Sequence, residues 1–346
     1  MRICVIGGGL AGALLAWRLA GRARQVDIFT GDDGERDATD ASGGGVRGYE
    51  THPVQRELAV ASLAELLSSR VLREWADFRR TGSAYLREGS AELSAELAEV
   101  DRCVYGSVSL AATDELTRAG WAGLPAGTVA VTERFAGYIS PHRLRSRVLA
   151  DLAGRQRTTV RTGAITALVP HTDGTVDCRT VEAVRRYDVV VIAAGAWTPA
   201  LLRASGLPAD GYRTKAIQYT VYPAGGWRPP VFVDETSGLF GRPTADGAVL
   251  LGLPTQSWGA GPGESSGTTA LHVEASRVAR TRFPRLRLGP PRSRISATDC
   301  YAGQPVLRLR PVGAAPRLHT FTGGAGGSVK TALAASSIAA AQLTAD

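Results

Sequence analysis

Arg2-Ile3-Cys4-Val5-Ile6-Gly7-Gly8-Gly9-Leu10-Ala11-Gly12 is the stretch whose reading decides the fold. An apolar run enters a G-x-G-x-x-G turn at Gly7, Gly9 and Gly12, and Ala13 to Ala20 continue as a helix. Strand, glycine turn and helix in that order form a dinucleotide cradle. Gly7 permits the tight turn, Gly9 lets backbone approach a pyrophosphate, and Gly12 lets the helix pack closely on the strand. The unpaired amides of the helix start, at Leu10 and Ala11, face the anion together with the helix dipole.

Outward from this cradle the chain reads as one α/β protein. Its 346 residues, 44% hydrophobic and 6% aromatic, are enough for one large domain or two. No segment approaches the ~20 uninterrupted apolar residues of a membrane span, and the glycine-broken first stretch lacks a signal-peptide pattern, so a cytoplasmic protein is expected. Cys4, Cys103, Cys178 and Cys300 show no metal spacing and are expected as free thiols. A net charge of +8 is spread over scattered arginines without a dense basic run, which argues against a nucleic-acid partner. Lysine is nearly absent: Lys215 and Lys330 are the only two.

The second strand, Val26 to Phe29, ends at Thr30, where dinucleotide enzymes commonly carry an acid for the adenosine ribose. Asp32 or Asp33 substitutes for it, the Thr30 hydroxyl serves, or the segment is a polar loop; all three readings stay open. Ser42-Gly43-Gly44-Gly45 is too rich in glycine for regular structure and suits close passage past a flat ligand. A long amphipathic helix is expected from about Pro53 to Arg79, and 83–134 form an excursion into a second domain. Ser140-Pro141 reads as a helix N-cap and first position. Two short strands are expected from Thr158 to Val169, and Tyr187 to Ile192 is a buried parallel strand. That strand ends in Ala193-Ala194-Gly195-Ala196-Trp197, whose small residues leave room for a ligand. Alternating strands from Tyr212 to Leu253 suggest an antiparallel sheet. Near the carboxyl end, Gly323-Gly324-Ala325-Gly326-Gly327-Ser328-Val329-Lys330 forms a second glycine turn that opens a helix.

The Gly7 to Gly12 turn, the Val190 to Pro199 segment and this final helix start together resemble the FAD-dependent amine and amino-acid oxidases, among them D-amino-acid oxidase, glycine oxidase and monomeric sarcosine oxidase. The resemblance spans the chain. It implies a Rossmann-like FAD-binding domain (1–82, 135–211 and 296–346) and a second α+β substrate domain on an antiparallel sheet (83–134 and 212–295). It also implies flavin contacts at Gly7, Gly9, Leu10, Ala11, Gly12, Thr30, Ser42, Gly43, Gly44, Gly45, Ile165, Ala194, Gly195, Trp197, Gly324, Gly326, Gly327, Ser328 and Val329. The second helix start would meet the negative end of the reduced flavin.

The carboxyl-terminal region is most similar to sarcosine oxidase. The resemblance implies that Lys330, with Arg47, holds a substrate carboxylate, and that Cys300 beside Tyr301 tethers the flavin; a buried thiol acting as a small hydrophobe is the alternative for Cys300. Tyr219, Tyr222 and Tyr301 are candidate pocket walls or ordinary sheet packing. Two departures stand out. Gln304 occupies the place of the glycine-oxidase arginine, and Leu250 that of a lysine that assists oxygen, leaving Arg47 or Arg242 as substitute cations. The implied activity is oxidation of the carbon–nitrogen bond of an amino acid or N-substituted amino acid by hydride transfer, followed by imine hydrolysis, with molecular oxygen reduced to hydrogen peroxide. A flavin monooxygenase, which would show a G-D-A-A-H-type turn, and a non-catalytic flavin scaffold are the rival readings.

Overall fold

The opening strand Arg2–Ile6 lies third from one edge of a six-stranded sheet, flanked in parallel by Gln25–Phe29 and Val189–Ile192. Beyond them lie Thr158–Arg161 on one side and Ala315–Thr322 on the other, both parallel; Arg308–Val312 closes that second edge antiparallel. The computed structural model describes all residues except 32, 33, 35, 265, 266, 325 and 346. The run Val189–Ile192 is buried on both faces, as the continuous β-branched pattern requires.

Two cores sandwich this sheet. On one face Leu14, Leu15 and Leu19 of the helix Leu10–Leu19 pack with Ala332, Ala335 and Ala339 of the closing helix Ser328–Leu343. Gly12 makes the approach possible, since a Cβ there would collide with the Gly7 carbonyl oxygen. On the other face Cys4, Val190 and Leu318 pack against an antiparallel meander of Ala167–Pro170, Val176–Arg179 and Val184–Tyr187.

The long helix expected from Pro53 to Arg79 is two helices, Pro53–Ser68 and Arg70–Trp75. Ser69 breaks it: its backbone is extended (φ −98°, ψ 111°) and its side chain accepts from the Leu72 amide at 3.2 Å, starting a new helix. The glycine-rich segment does pair briefly, Gly45–Val46 joining Gly137–Tyr138 and Arg79–Arg80 in a small antiparallel ribbon.

A second, nine-stranded sheet is antiparallel apart from one pair, Val231–Asp234 beside Ser83–Glu88, where the two sequence-distant segments meet. Its longest strand, Tyr212–Gly226, pairs with Ala248–Gly252 and with Ser293–Ala302. The latter strand runs across the expected boundary at residue 296. The helix Thr269–Arg282 covers one face, fixed by an ion pair of Arg282 with the buried Asp234 at 2.7 Å. The opposite face, carrying Lys215, Tyr219, Asp299 and Tyr301, turns towards the glycine turns. Among the described residues, no helix is long and apolar enough to cross a membrane.

Candidate active site

A cavity of about 710 Å³ opens between the two sheets. Both glycine turns line it, as do the end of the buried strand at Ala193–Trp197 and the exposed face of the nine-stranded sheet. Of the expected flavin contacts, Gly7, Gly9, Leu10, Ala11, Thr30, Ser42, Gly43, Ile165, Ala194, Gly195, Trp197, Gly326, Gly327, Ser328 and Val329 lie on its wall. Gly12, Gly44, Gly45 and Gly324 stand behind it. Gly12 and Gly44 are packing glycines: a Cβ on Gly44 (φ +67°) would collide with the Ile139 carbonyl oxygen.

Gly9 is different. Its φ is −63°, which any residue adopts, and a Cβ there would meet nothing nearer than Thr39 Oγ1 at 3.3 Å. Gly43 is more open, with Leu250 as its nearest neighbour at 3.7 Å. Protein packing leaves room for a side chain at Gly43 and only a tight fit at Gly9, and a ligand pressed against the backbone suits both positions. The residues present therefore fit the dinucleotide-linked flavin that the motif order implies. The leading amides of a helix have no partner within it, and here Leu10 N donates to Thr39 Oγ1, outside the helix, at 3.0 Å. The closing helix likewise starts without a side-chain cap at Gly327, its first turn on the cavity wall.

At the ribose position Thr30 lines the cavity, its hydroxyl donating to the carbonyls of Gly31 and Arg161 at 3.4 and 3.3 Å. Asp32 and Asp33 lie outside the described residues. Asp37, not singled out from sequence, lines the cavity near Gly9. Burial pushes its carboxyl up despite Arg145, which reaches Asp37 at 2.7 Å and Asp40 at 2.9 Å.

Lys330 and Arg47 do converge, on a residue that sequence reading missed. Arg47 Nη2 lies 2.6 Å and Lys330 Nζ 3.0 Å from the same oxygen, Glu50 Oε1. The approach angles fall outside hydrogen-bond geometry, so the contact is an ion pair rather than an aligned bond. Lys330 lines the cavity; Arg47 and Glu50 are buried behind it, Arg47 stacking over Tyr85 at 5.1 Å. Burial raises the Glu50 carboxyl, but Arg47 and Lys330 more than offset this and hold it below its ordinary value. Burial lowers the Lys330 ammonium, and Arg47 adds to that against the pull of Glu50. Behind the pair, the buried Glu133 accepts from the Gly48 and Tyr49 amides at 2.8 and 2.9 Å.

Tyr219 and Tyr301 line the cavity, whereas Tyr222 faces the other side of its strand and donates to the His272 carbonyl at 3.0 Å. Cys300 also faces away. In an extended strand alternate residues share a side, so Asp299 and Tyr301 reach the cavity and Cys300 is buried against Thr322. Burial pushes its thiol up to about 12. Asp299, likewise missed, accepts from the Cys300 amide at 2.8 Å, and burial raises its carboxyl to about 6. Arg242 donates to the Gly43 carbonyl and stacks on Tyr138 at 4.3 Å, while Leu250 is buried beside Gly43.

Glycine turns starting two helices, both facing one cavity at the carboxyl end of a parallel sheet, define a dinucleotide-binding oxidoreductase. Residues 2–342 match the family described as FAD dependent oxidoreductase, and the chain belongs to that family. It is 28% identical over 299 residues to the tRNA 5-methylaminomethyl-2-thiouridine biosynthesis bifunctional protein MnmC of Cupriavidus necator, a match covering 80% of this chain and 42% of that protein. The chain thus spans less than half the length of that curated relative. Among solved structures it is similar to glycine oxidase from Geobacillus kaustophilus (TM-score 0.77, 18% identity, 99% of this chain and 95% of that one). It is also similar to L-proline dehydrogenase from P. horikoshii (TM-score 0.78, 16% identity, 99% and 93%). At these identities the likeness is one of fold. The protein is a FAD-dependent oxidoreductase whose fold neighbours act on amino acids.

Proposed function

We propose that the protein oxidises the carbon–nitrogen bond of an amino acid or N-substituted amino acid whose carboxylate is held by Lys330, with Arg47 in support. The observation that carries this reading is Lys330 itself: a buried ammonium on the cavity wall, in the first turn of the helix that meets the flavin site, sharing its one acid with a second cation. A carboxylate arriving there gives two cations a second anion in a site where unpaired charge is costly. Bound FAD would supply the acceptor for the hydride that leaves the carbon next to nitrogen. The chain's own residues bind and orient: Lys330 positions the carboxylate, while Tyr219 and Tyr301 wall the substrate side. The imine left on the substrate takes up water and separates into a carbonyl compound and an amine, with oxygen as final acceptor and hydrogen peroxide as its product. On this reading residues 1–82, 135–211 and 296–346 supply most of the flavin's surroundings, and Arg47, Tyr301 and Lys330 reach from them to the substrate.

The test is Lys330→Met. The Michaelis constant for carboxylated amines should rise strongly, because truncating one partner of a buried charge pair costs about 2 to 5 kcal/mol. Unchanged kinetics towards a panel of such amines, with flavin content intact, refutes the role. The match to MnmC favours a second reading, in which the amine is carried on an RNA base. Competition of tRNA with free amino acids for the bleaching of the flavin distinguishes the two.

A further inference from the structure

The chain's two lysines, among 40 basic residues, line the same cavity. In a protein that otherwise uses arginine, the compact ammonium is kept at two positions facing one ligand. Lys330 is engaged by Glu50. Among the described residues Lys215 is held by aromatic faces: its Nζ stands 4.8 Å from the Trp258 ring and 5.7 Å from the Tyr301 ring, which meet edge to face at 5.2 Å. Burial lowers its ammonium and no neighbouring charge offsets the loss. An ammonium has three donors, and two ring faces engage it without offering a conventional hydrogen-bond acceptor, so a ligand entering the cavity can supply one.

The two ammonium groups line the same cavity, Lys215 from the nine-stranded sheet and Lys330 from the closing helix, and Tyr301 reaches from the sheet to the glycine turn. The Tyr301 ring faces Lys215, while its hydroxyl lies 2.8 Å from the position of a Cβ on Gly326, and Lys330 Nζ folds over the adjacent Gly327. Asp299 is the cross-strand partner of Lys215 and also lines the cavity, yet its carboxylate accepts from the Cys300 amide and not from the lysine.

We infer that Lys215, seated between Trp258 and Tyr301, receives a second anionic group of the substrate, so that the amine oxidised here belongs to a dicarboxylate rather than to a simple amino acid. The inference rests on the reading of Lys330 as anchor of the first carboxylate. It makes the cavity a two-point clamp: one carboxylate at each lysine and the amine between them, against the tyrosine wall.

The experiment titrates the flavin-loaded protein with straight-chain α,ω-dicarboxylates and with monocarboxylates of equal length, following perturbation of the visible flavin band. At least one diacid should bind about tenfold or more tighter than its monoacid, as expected of one added charge-assisted hydrogen bond. Lys215→Met should abolish that preference while leaving monoacid affinity and flavin content unchanged. Lys215→Arg, which keeps the charge, should retain part of it. Absence of any diacid preference, a preference that survives Lys215→Met, or loss of flavin from that variant overturns the inference. If Lys330→Met weakens monoacid binding but Lys215→Met leaves the diacid preference intact, only the second subsite fails. If monoacid binding is indifferent to Lys330, the anchor reading fails and this inference with it.

Discussion

Replacing Glu50 by Gln removes the one acid that two cations share. Arg47 and Lys330 approach Glu50 Oε1 at 2.6 and 3.0 Å, and both partners are about nine-tenths buried. At 3 Å and an effective dielectric of ~20 each contact is worth roughly 5 kcal/mol of Coulomb energy, most of which offsets the desolvation of the charges. Breaking such a pair and leaving like charges behind costs about 3–5 kcal/mol, so the variant should unfold at a markedly lower urea concentration. Ligand binding should move the other way. A carboxylate then becomes the principal counter-ion of Lys330, and its affinity should rise about tenfold for each ~1.4 kcal/mol of recovered pairing. The ammonium of Lys330 already lies below its ordinary value, and loss of Glu50 lowers it further. Carboxylate affinity should therefore fall with rising pH in both proteins, at a lower pH in the variant. Urea unfolding and titration of the flavin band with a non-oxidisable carboxylate measure both effects. A variant that keeps its stability, or binds the carboxylate more weakly than the parent, refutes the reasoning.

Gly9→Ala should fold, with Thr39 Oγ1, 3.3 Å from the added Cβ, giving way slightly, yet purify with little flavin; Gly12→Ala, which drives a Cβ into the Gly7 carbonyl, should destabilise the whole fold. Absorbance of the purified proteins and their thermal transitions separate the two. Acid precipitation should release all flavin, and Cys300→Ser should change nothing in that assay, because Cys300 faces away from the cavity. In the native protein one thiol, the exposed Cys103, should react quickly with a disulfide reagent, with the other three protected. The Asp299 carboxyl is raised to about 6, so the folded protein prefers its protonated form. Its contribution is most favourable below the ordinary carboxyl range and is lost as pH rises through about 6. Asp299→Asn should remove that loss, of order 1–2 kcal/mol for a partly exposed group, and flatten the stability profile between pH 4 and 7 in urea unfolding.

The glycine turns were legible because their requirements are local. A tight turn, a helix start and an apolar strand each constrain a few adjacent residues, and Gly7 to Gly12 satisfy all three within one stretch. The break at Ser69 was also written locally, in a serine that caps Leu72, but helical periodicity on both sides hides it. Glu50 was not legible: an acid three residues after Arg47 in a glycine-rich segment looks like surface charge, and only the fold brings Lys330 from the far end of the chain against it. The two sides of the Ser293–Ala302 strand show the division most plainly. Alternation along a strand dictates that Asp299 and Tyr301 share a side and Cys300 takes the other, yet which side meets the cavity depends on pairing with Tyr212–Gly226.

By itself, then, the sequence determined the cradle, the buried parallel strand beside it and the second glycine-led helix, since short-range sterics and periodicity suffice for these. The tertiary structure alone decided which charges meet. Electrostatic partners are chosen by distance in space, and residues 47, 50 and 330, like 215, 258 and 301, become neighbours only when two sheets close over one cavity.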